Sequence, residues 1–359
     1  MNQKESFWKG KRVLVTGHTG FVGSWLCTVL KNFGADITGF ALKEESGSLY
    51  ERIKIELGIN SVYADLRNID DVRQCIQQVK PDTIFHIAAV AFLKDCFLDP
   101  ERAYTSNVNG TINLFQAINE YGEKCRIVVA SSDKVYRNVN QKMYLFKEED
   151  PLGGSDTYSA SKTCEDIIAQ SFFDSYLFNK SMSLCIVRPS NIIGGGDGST
   201  TRLIPSLYFN FSHGLEPEIR NPDSVRPWQN ILDIVDAYLT LAEYCEEGCS
   251  IFNVGPELDG IKTVGEIVEY VRRLYRKKEK VAIKDISFDS DEKMYSSNQV
   301  KEKIYLGLSI DKIKKDVGWS PKRTLEESLD EIYEFYELDK EENIYRICQK
   351  QIERYYGGM

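Results

Sequence analysis

Two side chains four residues apart could form a proton-transfer pair. Tyr158 and Lys162 open a segment with helical spacing, and a four-residue step places both on one face, one turn apart. A phenol with an ordinary pKa of about 10 needs a nearby cation to act as a base near neutral pH, and an ammonium group supplies that field. The same ammonium could bind a ribose hydroxyl. Taken alone, however, this spacing is also common on solvated helix faces.

Three glycines at three-residue intervals follow the first predicted strand. Gly17, Gly20 and Gly23 lie between the apolar run Val13-Leu14-Val15 and an apolar helical segment, so they occupy a strand-to-helix turn. Glycine lets the backbone adopt positive φ and approach a pyrophosphate, while the helix N-terminus offers unpaired N–H groups to the anion. The loop predicts a dinucleotide site, with a tight turn that binds no ligand as the alternative. The other predicted contacts in this loop are Thr19, Phe21 and Val22.

Cofactor contacts are also expected at the carboxyl ends of later strands, where ligands bind in parallel sheets. Asp65 closes the third predicted strand and could accept from an adenine amino group, but a helix N-cap or turn residue is an equal alternative. Ala88 and Ala89 close the fourth strand and leave room for a cofactor. Leu66 and Asn107 complete the predicted cofactor contacts on these strands and helices.

The end of the second predicted strand bears on the choice between NAD and NADP. Lys43 could pair with a 2′-phosphate, whereas Glu44 or Glu45 could bind the ribose diol of NAD. Both chemistries are present within three residues. We predict NAD as the cofactor and leave NADP open.

Predicted strands and helices alternate along the first half of the chain, and they must position these residues. We predict an α/β fold, a Rossmann-type doubly wound parallel sheet with a smaller mixed α/β C-terminal substrate domain. An NAD(P)-binding domain is expected at 1–189 and a mainly substrate-binding domain at 190–359, with crossovers back to the first domain allowed. The predicted strands are 12–16, 36–41, 61–64, 82–87, 126–131 and 183–188. The predicted helices are 22–33, 68–79, 100–121, 157–178, 231–246, 263–277, 310–317 and 325–337, and a surface helix is expected within 341–356.

Composition excludes several classes of protein. The chain has 359 residues, is 42% hydrophobic and 28% charged, and carries a net charge of −9. These values are typical of a folded core, and the acidic balance argues against nucleic-acid and anionic-membrane partners. Nine cysteines mostly occur singly in apolar runs and only three histidines are present, so we expect reduced thiols and no metal site. No apolar signal core is visible, and we predict a cytoplasmic location.

Taken in order, these motifs resemble those of the extended short-chain dehydrogenase/reductases, which act largely on nucleotide sugars. The resemblance runs from Lys11 to about Leu329 and is nearest to the CDP-glucose 4,6-dehydratases. It implies an NAD(P)-dependent hydro-lyase that makes a CDP-4-keto-6-deoxyglucose. The blocks that carry it are Phe7-Trp8-Lys9-Gly10-Lys11-Arg12, Ser24-Trp25-Leu26, Ser132-Asp133-Lys134-Val135-Tyr136, Gly153-Gly154, Ile193-Gly194-Gly195-Gly196-Asp197, Arg202-Leu203-Ile204-Pro205, Arg220-Asn221-Pro222 and Arg226-Pro227-Trp228-Gln229.

The triplet Ser132-Asp133-Lys134 distinguishes the chemistries that this fold supports. The resemblance implies that Tyr158 and Ser132 act at the sugar 4-hydroxyl while C4 is oxidised. A dehydratase must also move protons at C5 and C6, for which Lys134 would be the base and protonated Asp133 the acid. A capped strand end with a solvated lysine is the structural alternative.

The resemblance also implies where the sugar nucleotide is bound. Arginine suits a diphosphate because its planar donors match phosphate oxygens, although an unplaced arginine is usually a surface charge. The predicted substrate contacts are Ser132, Asn191, Arg202, Leu203, Arg220 and Arg226.

Five positions depart from the pattern of the CDP-glucose enzymes. Val90 and Lys94 stand where glutamine and arginine are expected, and valine cannot form a hydrogen bond through its side chain. Thr157, Ala160 and Asn230 replace an expected proline, asparagine and histidine. A different nucleotide or sugar therefore stays open. So do an epimerase or reductase on the same fold and a non-catalytic NAD(P)-binding regulatory protein.

The resemblance further implies a homodimer formed through the two helices that follow strands four and five. Apolar positions at 107–118 and 164–173 agree with such an interface, but they would serve equally well in the core.

Overall fold

The computed structural model describes residues 3–137, 143–199, 201–219, 221–278 and 305–357. The strands in these residues are β1 (Arg12–Thr16), β2 (Asp36–Ala41), β3 (Asn60–Tyr63), β4 (Thr83–His86), β5 (Arg126–Ala130), β6 (Ser183–Pro189), β7 (Asn191–Ile193), β8 (Val225–Asn230), β9 (Gly248–Val254) and β10 (Ile261–Thr263). Seven of them form one parallel sheet in the order β3-β2-β1-β4-β5-β6-β9. The other three form a small mixed sheet in the order β10-β8-β7. The predicted α/β fold is confirmed.

Helices cover both faces of the large sheet and one end of the small one. Those in the described residues are α1 (Gln3–Trp8), α2 (Phe21–Asn32), α3 (Leu49–Leu57), α4 (Ile69–Val79), α5 (Leu93–Leu98), α6 (Pro100–Tyr104), α7 (Gly110–Tyr121), α8 (Thr157–Phe172), α9 (Leu203–Ser212), α10 (Ile231–Tyr244), α11 (Val264–Lys278), α12 (Asp311–Val317), α13 (Leu325–Leu338) and α14 (Ile344–Tyr356). A π-helical segment, Thr105–Asn109, joins α6 to α7, and another, Phe173–Leu177, extends α8.

The first half of the chain folds as the hydrophobic pattern predicts. Each of the six predicted strands agrees with β1 to β6 to within one residue at either end. Strand β1 shows why, because its apolar residues Val13, Leu14 and Val15 are each at most 1% exposed at the centre of the sheet. The short helices α1, α3, α5 and α9 and strands β7 to β10 were not predicted, since segments this short carry little periodicity.

The chain returns to the large sheet after it has entered the second half. Strand β9 pairs with β6 along seven residues, from Ser183 opposite Gly248 to Pro189 opposite Val254. Helix α10 packs beside α2 in the core on one face of this sheet, together with residues of α14. The division at 189 and 190 stays a prediction, although β9 shows that the second half contributes a strand to the first-half sheet.

The small sheet carries its own apolar cluster. Trp228 of β8 packs with Leu207 of α9, Val271 of α11 and Leu329 of α13. This layer lies next in sequence to β6 and β7, whose carboxyl ends lead into the sugar-nucleotide residues expected from the resemblance. Among the described residues, no helix is both long and apolar enough to span a membrane.

Candidate active site

The triplet Ser132-Asp133-Lys134 lies at the carboxyl edge of the large sheet. Strand β5 ends at Ala130, and the 3₁₀ turn Asp133–Val135 begins two residues after Ser131. The Ser132 hydroxyl caps this turn by accepting from the Lys134 N–H at 3.2 Å. It also donates to Asp133 Oδ1 at 3.2 Å. The local turn therefore gathers all three side chains at one point.

Asp133 and Lys134 form a close acid–base pair. Lys134 Nζ lies 3.5 Å from Asp133 Oδ1 and donates to Asn191 Oδ1 at 3.3 Å. Asp133 is 1% exposed, and its Oδ2 is buried without a hydrogen-bond partner among the described residues. A buried carboxylate oxygen without a partner is costly unless something binds it, so this atom is a candidate contact for a ligand.

Helix α8 brings Tyr158 to the same edge. Asp156 starts the helix by accepting from the Ser159 N–H at 2.9 Å, which leaves Tyr158 in the first turn. Burial raises the pKa of the Tyr158 phenol above its ordinary value, and the charges of Asp133 and Glu165 act in the same direction. A hydrogen bond with Ser132 and the charge of Arg202 oppose that rise in pKa. The structure thus brings Tyr158 together with the triplet.

The second member of the helical pair is bound by a residue that the sequence analysis missed. Lys162 Nζ donates to the Ala130 carbonyl oxygen at 2.7 Å and to both Glu165 carboxylate oxygens at 2.6 Å. Both side chains are buried, at 2% and 0% exposed. Burial raises the pKa of Glu165 to about 7, against the opposing charge and hydrogen bonds of Lys162. The i,i+3 spacing was the signal available in the sequence.

The glycine loop forms a close backbone cradle at the start of α2. Gly17 has φ +78°, and a Cβ atom placed there would lie 2.7 Å from the backbone of Ala88. A Cβ on Gly23 would lie 2.2 Å from the Gly17 carbonyl oxygen. Gly20 is the N-cap of α2 and supplies no side-chain hydrogen bond, so the first N–H groups of that helix can receive an anion. These features fit the pyrophosphate of a dinucleotide.

The remaining predicted residues of the glycine loop lie near the segment that follows β2. Thr19 Oγ1 donates to the Leu42 carbonyl oxygen at 3.1 Å, while Phe21 and Val22 pack against the core. Lys43 is exposed. Glu44 is paired with Lys54, and a hydrogen bond from that lysine lowers the pKa of Glu44 to about 2. An ionised Glu44 therefore lies shortly after β2, in the segment expected to bear on the choice between NAD and NADP.

Asp65 occupies the turn after β3. It accepts from the Arg67 N–H at 2.9 Å and from the guanidinium of the same residue, which lowers the pKa of Asp65. The N-cap of α4 is Asn68, so of the two structural alternatives Asp65 takes the turn position. Leu66, the next residue, is 9% exposed and belongs to an apolar cluster with Leu114 and Ile118.

Asn107 joins its own π-helical segment to the loop after β4 and to α8. Its Oδ1 accepts from the Val90 N–H at 2.7 Å, and its Nδ2 donates to Ser161 Oγ of α8 at 2.9 Å. Ala88, in the same loop, donates its N–H to Thr16 Oγ1 at 3.3 Å, and Ala89 is partly exposed beside it. The buried side chain of Asn107 thus connects the loop after β4 to α8.

The structure describes all of the predicted substrate contacts except Arg220. Asn191 of β7 reaches Lys134, and Arg202 stands before α9 with its guanidinium 3.0 Å from Asp197 and 4.6 Å from the centre of the Phe92 ring. Arg226 is 6% exposed, and Leu203 packs against the apolar cluster of the small sheet. Arg220 lies outside the described residues.

Hydrogen bonds fix two of the five residues that depart from the pattern of the CDP-glucose enzymes. Asn230 caps α10 and donates to Glu331 Oε2 at 3.1 Å, so it joins α10 to α13. Val90 is fixed through its backbone by Asn107. Of the others, Lys94 is exposed, whereas Thr157 and Ala160 are partly buried on the first turn of α8.

No group of three or more His, Cys, Asp or Glu side chains in the described ranges could hold a metal ion. All nine cysteines are free thiols.

Comparisons with known proteins agree with this architecture. The model of the NAD dependent epimerase/dehydratase family matches residues 13–255. The chain is 34% identical to CDP-glucose 4,6-dehydratase of Salmonella typhimurium over 97% of its own length and 96% of that protein. It resembles the crystal structure of dTDP-glucose 4,6-dehydratase from Bacillus anthracis in complex with NAD, with a TM-score of 0.75, 26% identity and coverage of 92% and 97% of the two chains. A UDP-glucose 4-epimerase from Thermotoga maritima shares the fold, with a TM-score of 0.76, 20% identity and coverage of 92% and 99%.

Proposed function

The chain belongs to the NAD dependent epimerase/dehydratase family and its cofactor is NAD, and from this premise we propose that it is a nucleotide-sugar 4,6-dehydratase. The proposed reaction converts CDP-glucose to CDP-4-keto-6-deoxyglucose. One observation carries the proposal: Asp133 pairs through Oδ1 with Lys134, at the edge that also holds Ser132 and Tyr158, while its Oδ2 is buried without a partner among the described residues. An epimerase needs no acid–base pair beyond the one that acts at the 4-hydroxyl.

Tyr158 would accept the proton of the sugar 4-hydroxyl, with Ser132 hydrogen-bonded to the same oxygen. NAD, held with its pyrophosphate at the Gly17, Gly20 and Gly23 loop, would supply the hydride chemistry that links C4 and C6. Because the hydride lost from C4 would be restored at C6 in the same turnover, the enzyme should show no net consumption of cofactor.

Asp133 and Lys134 would carry out the elimination of water. The 4-keto group acidifies the C5 proton, which a neutral Lys134 would remove while a protonated Asp133 gives its proton to the departing 6-hydroxyl, so that water leaves across C5 and C6. Lys134 would then return its proton to C5 when hydride is added to C6, which gives the 4-keto-6-deoxy sugar. Moving one proton across the 3.5 Å between Lys134 and Asp133 converts their ion pair into this neutral acid and amine. The required state therefore needs no net uptake of protons from solvent, and exclusion of water by the substrate would favour it.

The diphosphate would be bound by arginine side chains at the small sheet. Arg202 is partly exposed and held between Asp197 and the Phe92 ring, so a diphosphate would compete with Asp197 for a guanidinium that is already oriented. Arg226 and Asn191 are proposed as further contacts, and Arg220 stays a prediction. We propose cytidine as the base because the chain is similar to a CDP-glucose enzyme over nearly its full length. Val90 and Lys94 argue against cytidine, since they differ from the residues expected in the CDP-glucose enzymes.

Incubation with a panel of sugar nucleotides tests the function. We expect CDP-glucose, rather than the UDP, GDP or dTDP sugars, to lose one water and give a 4-keto product without net reduction of added NAD. Dehydration of another sugar nucleotide would change the assigned substrate and leave the assigned reaction in place. A product of unchanged mass would assign an epimerase, stoichiometric consumption of reduced cofactor would assign a reductase, and binding of NAD without turnover across the panel would assign a regulatory protein.

Variants of the acid–base pair test the mechanism. Asp133→Asn and Lys134→Met should each lower the rate of dehydration by about 10² to 10⁴-fold, the usual contribution of a positioned acid or base. Oxidation at C4 should persist, so the variants should accumulate enzyme-bound reduced nicotinamide after addition of substrate. Glu149→Gln removes an exposed carboxylate and is the matched control, for which we expect wild-type rates. Full dehydration by either active-site variant would refute the assigned roles.

The location and the oligomeric state stay predictions. Nine free thiols agree with a reducing compartment such as the cytoplasm. The helices expected to pair in a homodimer expose Ile167 and Tyr176, at 51% and 55%.

A further inference from the structure

The ammonium of Lys162 has all of its donors occupied by protein oxygens. It contacts the Ala130 carbonyl oxygen at 2.7 Å and the two Glu165 oxygens at 2.6 Å. An ammonium group carries three N–H donors, so these three oxygens use them all. A ribose hydroxyl that binds Lys162 must therefore displace or share one of these contacts.

Glu165 is fully buried and lies between charged neighbours. Its own helix supplies Lys162 and Asp166, but the Asp166 carboxylate is already bound by Arg188, whose Nε lies 2.8 Å away. Lys162 is therefore the cation to which the Glu165 carboxylate is bonded. A buried charge requires such a partner, and breaking the pair would leave the other charge uncompensated.

We propose that Glu165 is a positioning residue, which holds the Lys162 ammonium against the Ala130 carbonyl and whose charge sets the acidity of the Tyr158 phenol. This inference rests on the proposed function only in assigning Tyr158 as the base. With Glu165 ionised, the pair is neutral overall and Lys162 gives little net stabilisation to a phenolate. With Glu165 protonated, the charge of Lys162 acts on Tyr158 without compensation.

Other titratable groups face this cluster from the elements packed around it. Asp133 and Arg202 act on Tyr158 from the turn after β5 and from the start of α9, and Tyr238 of α10 interacts with both Tyr158 and Glu165. His86 of β4 faces Lys162, and burial lowers the pKa of His86 to about 3, so it is neutral near pH 7. Glu165, whose pKa burial raises to about 7, is thus placed to change the local charge near neutrality.

Nuclear magnetic resonance of the full chain labelled with ¹³C at tyrosine Cζ tests the proposal without turnover. The Tyr158 signal is assigned by its loss in Tyr158→Phe. In the wild-type protein we expect a small inflection of this signal near pH 7, as Glu165 titrates. In Glu165→Gln the inflection should be absent, and the phenol should titrate about one pH unit lower because a neighbouring negative charge has been removed.

Asp233→Asn is the matched control. Asp233 is also buried, with a pKa that burial raises to about 6, but its carboxylate is bonded to Gln229 and Tyr355. This variant should keep the inflection. An unchanged Tyr158 titration in Glu165→Gln would overturn the inference, as would loss of the inflection in the control.

Two further measurements keep the test decisive. If Glu165→Gln does not fold, the wild-type protein and Glu165→Asp, which preserves the charge, decide the question. The proposal then requires the inflection of the Tyr158 signal in both proteins. Absence of the inflection from the wild-type signal rejects the proposal. The inflection without dehydration of any sugar nucleotide would refute the proposed function alone. Dehydration without the inflection would refute the role of Glu165 alone.

Discussion

Helix α8 carries two buried ion pairs that differ in how completely their charges are bound. Asp166 contacts Arg188 Nε at 2.8 Å and also accepts from Ser131 and Gln170, while Arg188 donates further to Tyr136 and the Glu148 carbonyl. The Glu165 carboxylate, next in sequence, is bonded to Lys162. One pair joins α8 to β6 through a network, whereas the other lies within a single helix.

This difference separates a structural pair from one that can change its state. Several donors surround the Asp166 carboxylate, and its bonds to Arg188 and Ser131 fix the helix to the sheet. With fewer bonds in an equally buried place, Glu165 has a pKa that burial raises to about 7. The pair of Glu165 and Lys162 therefore carries the adjustable charge of α8.

Breaking the network pair should have the largest effect. Arg188→Met leaves the buried Asp166 uncompensated, and we expect the free energy of unfolding to fall by about 3 to 5 kcal/mol, measured by urea denaturation. The double variant Arg188→Met with Asp166→Leu should recover most of the loss, because no buried charge is left without a partner. A loss below about 1 kcal/mol in the single variant would show that the network is not the structural element that we describe.

The second prediction concerns how stability depends on pH through Glu165. Its pKa rises from 4.5 to about 7 on folding, so between these values the folded chain keeps a proton that the unfolded chain has released. The free energy of unfolding should therefore fall as pH rises through this window, by about 3 kcal/mol from this residue. Urea unfolding at about pH 5 and about pH 8 should show this fall in the wild type and a smaller fall in Glu165→Gln. Asp233 contributes equally to both proteins, and identical pH dependences would contradict the expectation.

The smallest effect should come from trimming the network without exposing a charge. Gln170→Leu removes one donor, which lies 2.7 Å from Asp166 Oδ1, and leaves Arg188 and Ser131 in place. We expect a loss of about 1 kcal/mol in the free energy of unfolding, with an unchanged pH profile of activity. A shifted pH profile would mean that the Asp166 and Glu165 ion pairs are coupled, and it would contradict their assignment to separate roles.

Much of the site could be predicted because its elements are local in sequence. The glycine loop lies between a strand and a helix, and Tyr158 follows an aspartate that caps α8, so short segments fix both positions. The alternation of apolar strands and amphipathic helices was enough to predict the parallel sheet. These features depend on spacing, which the sequence displays directly.

Other features depend on partners far away in the chain and could not be predicted. Asn107 was expected to contact the cofactor, but its bonds to Val90 and Ser161 arise only when three segments meet. The return of β9 to the large sheet has the same origin, since its pairing with β6 joins residues more than sixty positions apart.

The sequence by itself determined the type of fold, the position of the glycine loop and the set of candidate acid–base side chains, because periodicity and short motifs encode backbone geometry and residue chemistry. Only the tertiary structure decided the state of those side chains. It left one Asp133 oxygen buried without a partner in the described chain and bound Lys162 to Glu165. Burial and the distance to the nearest charge set the pKa of a side chain, and both are properties of the packed molecule.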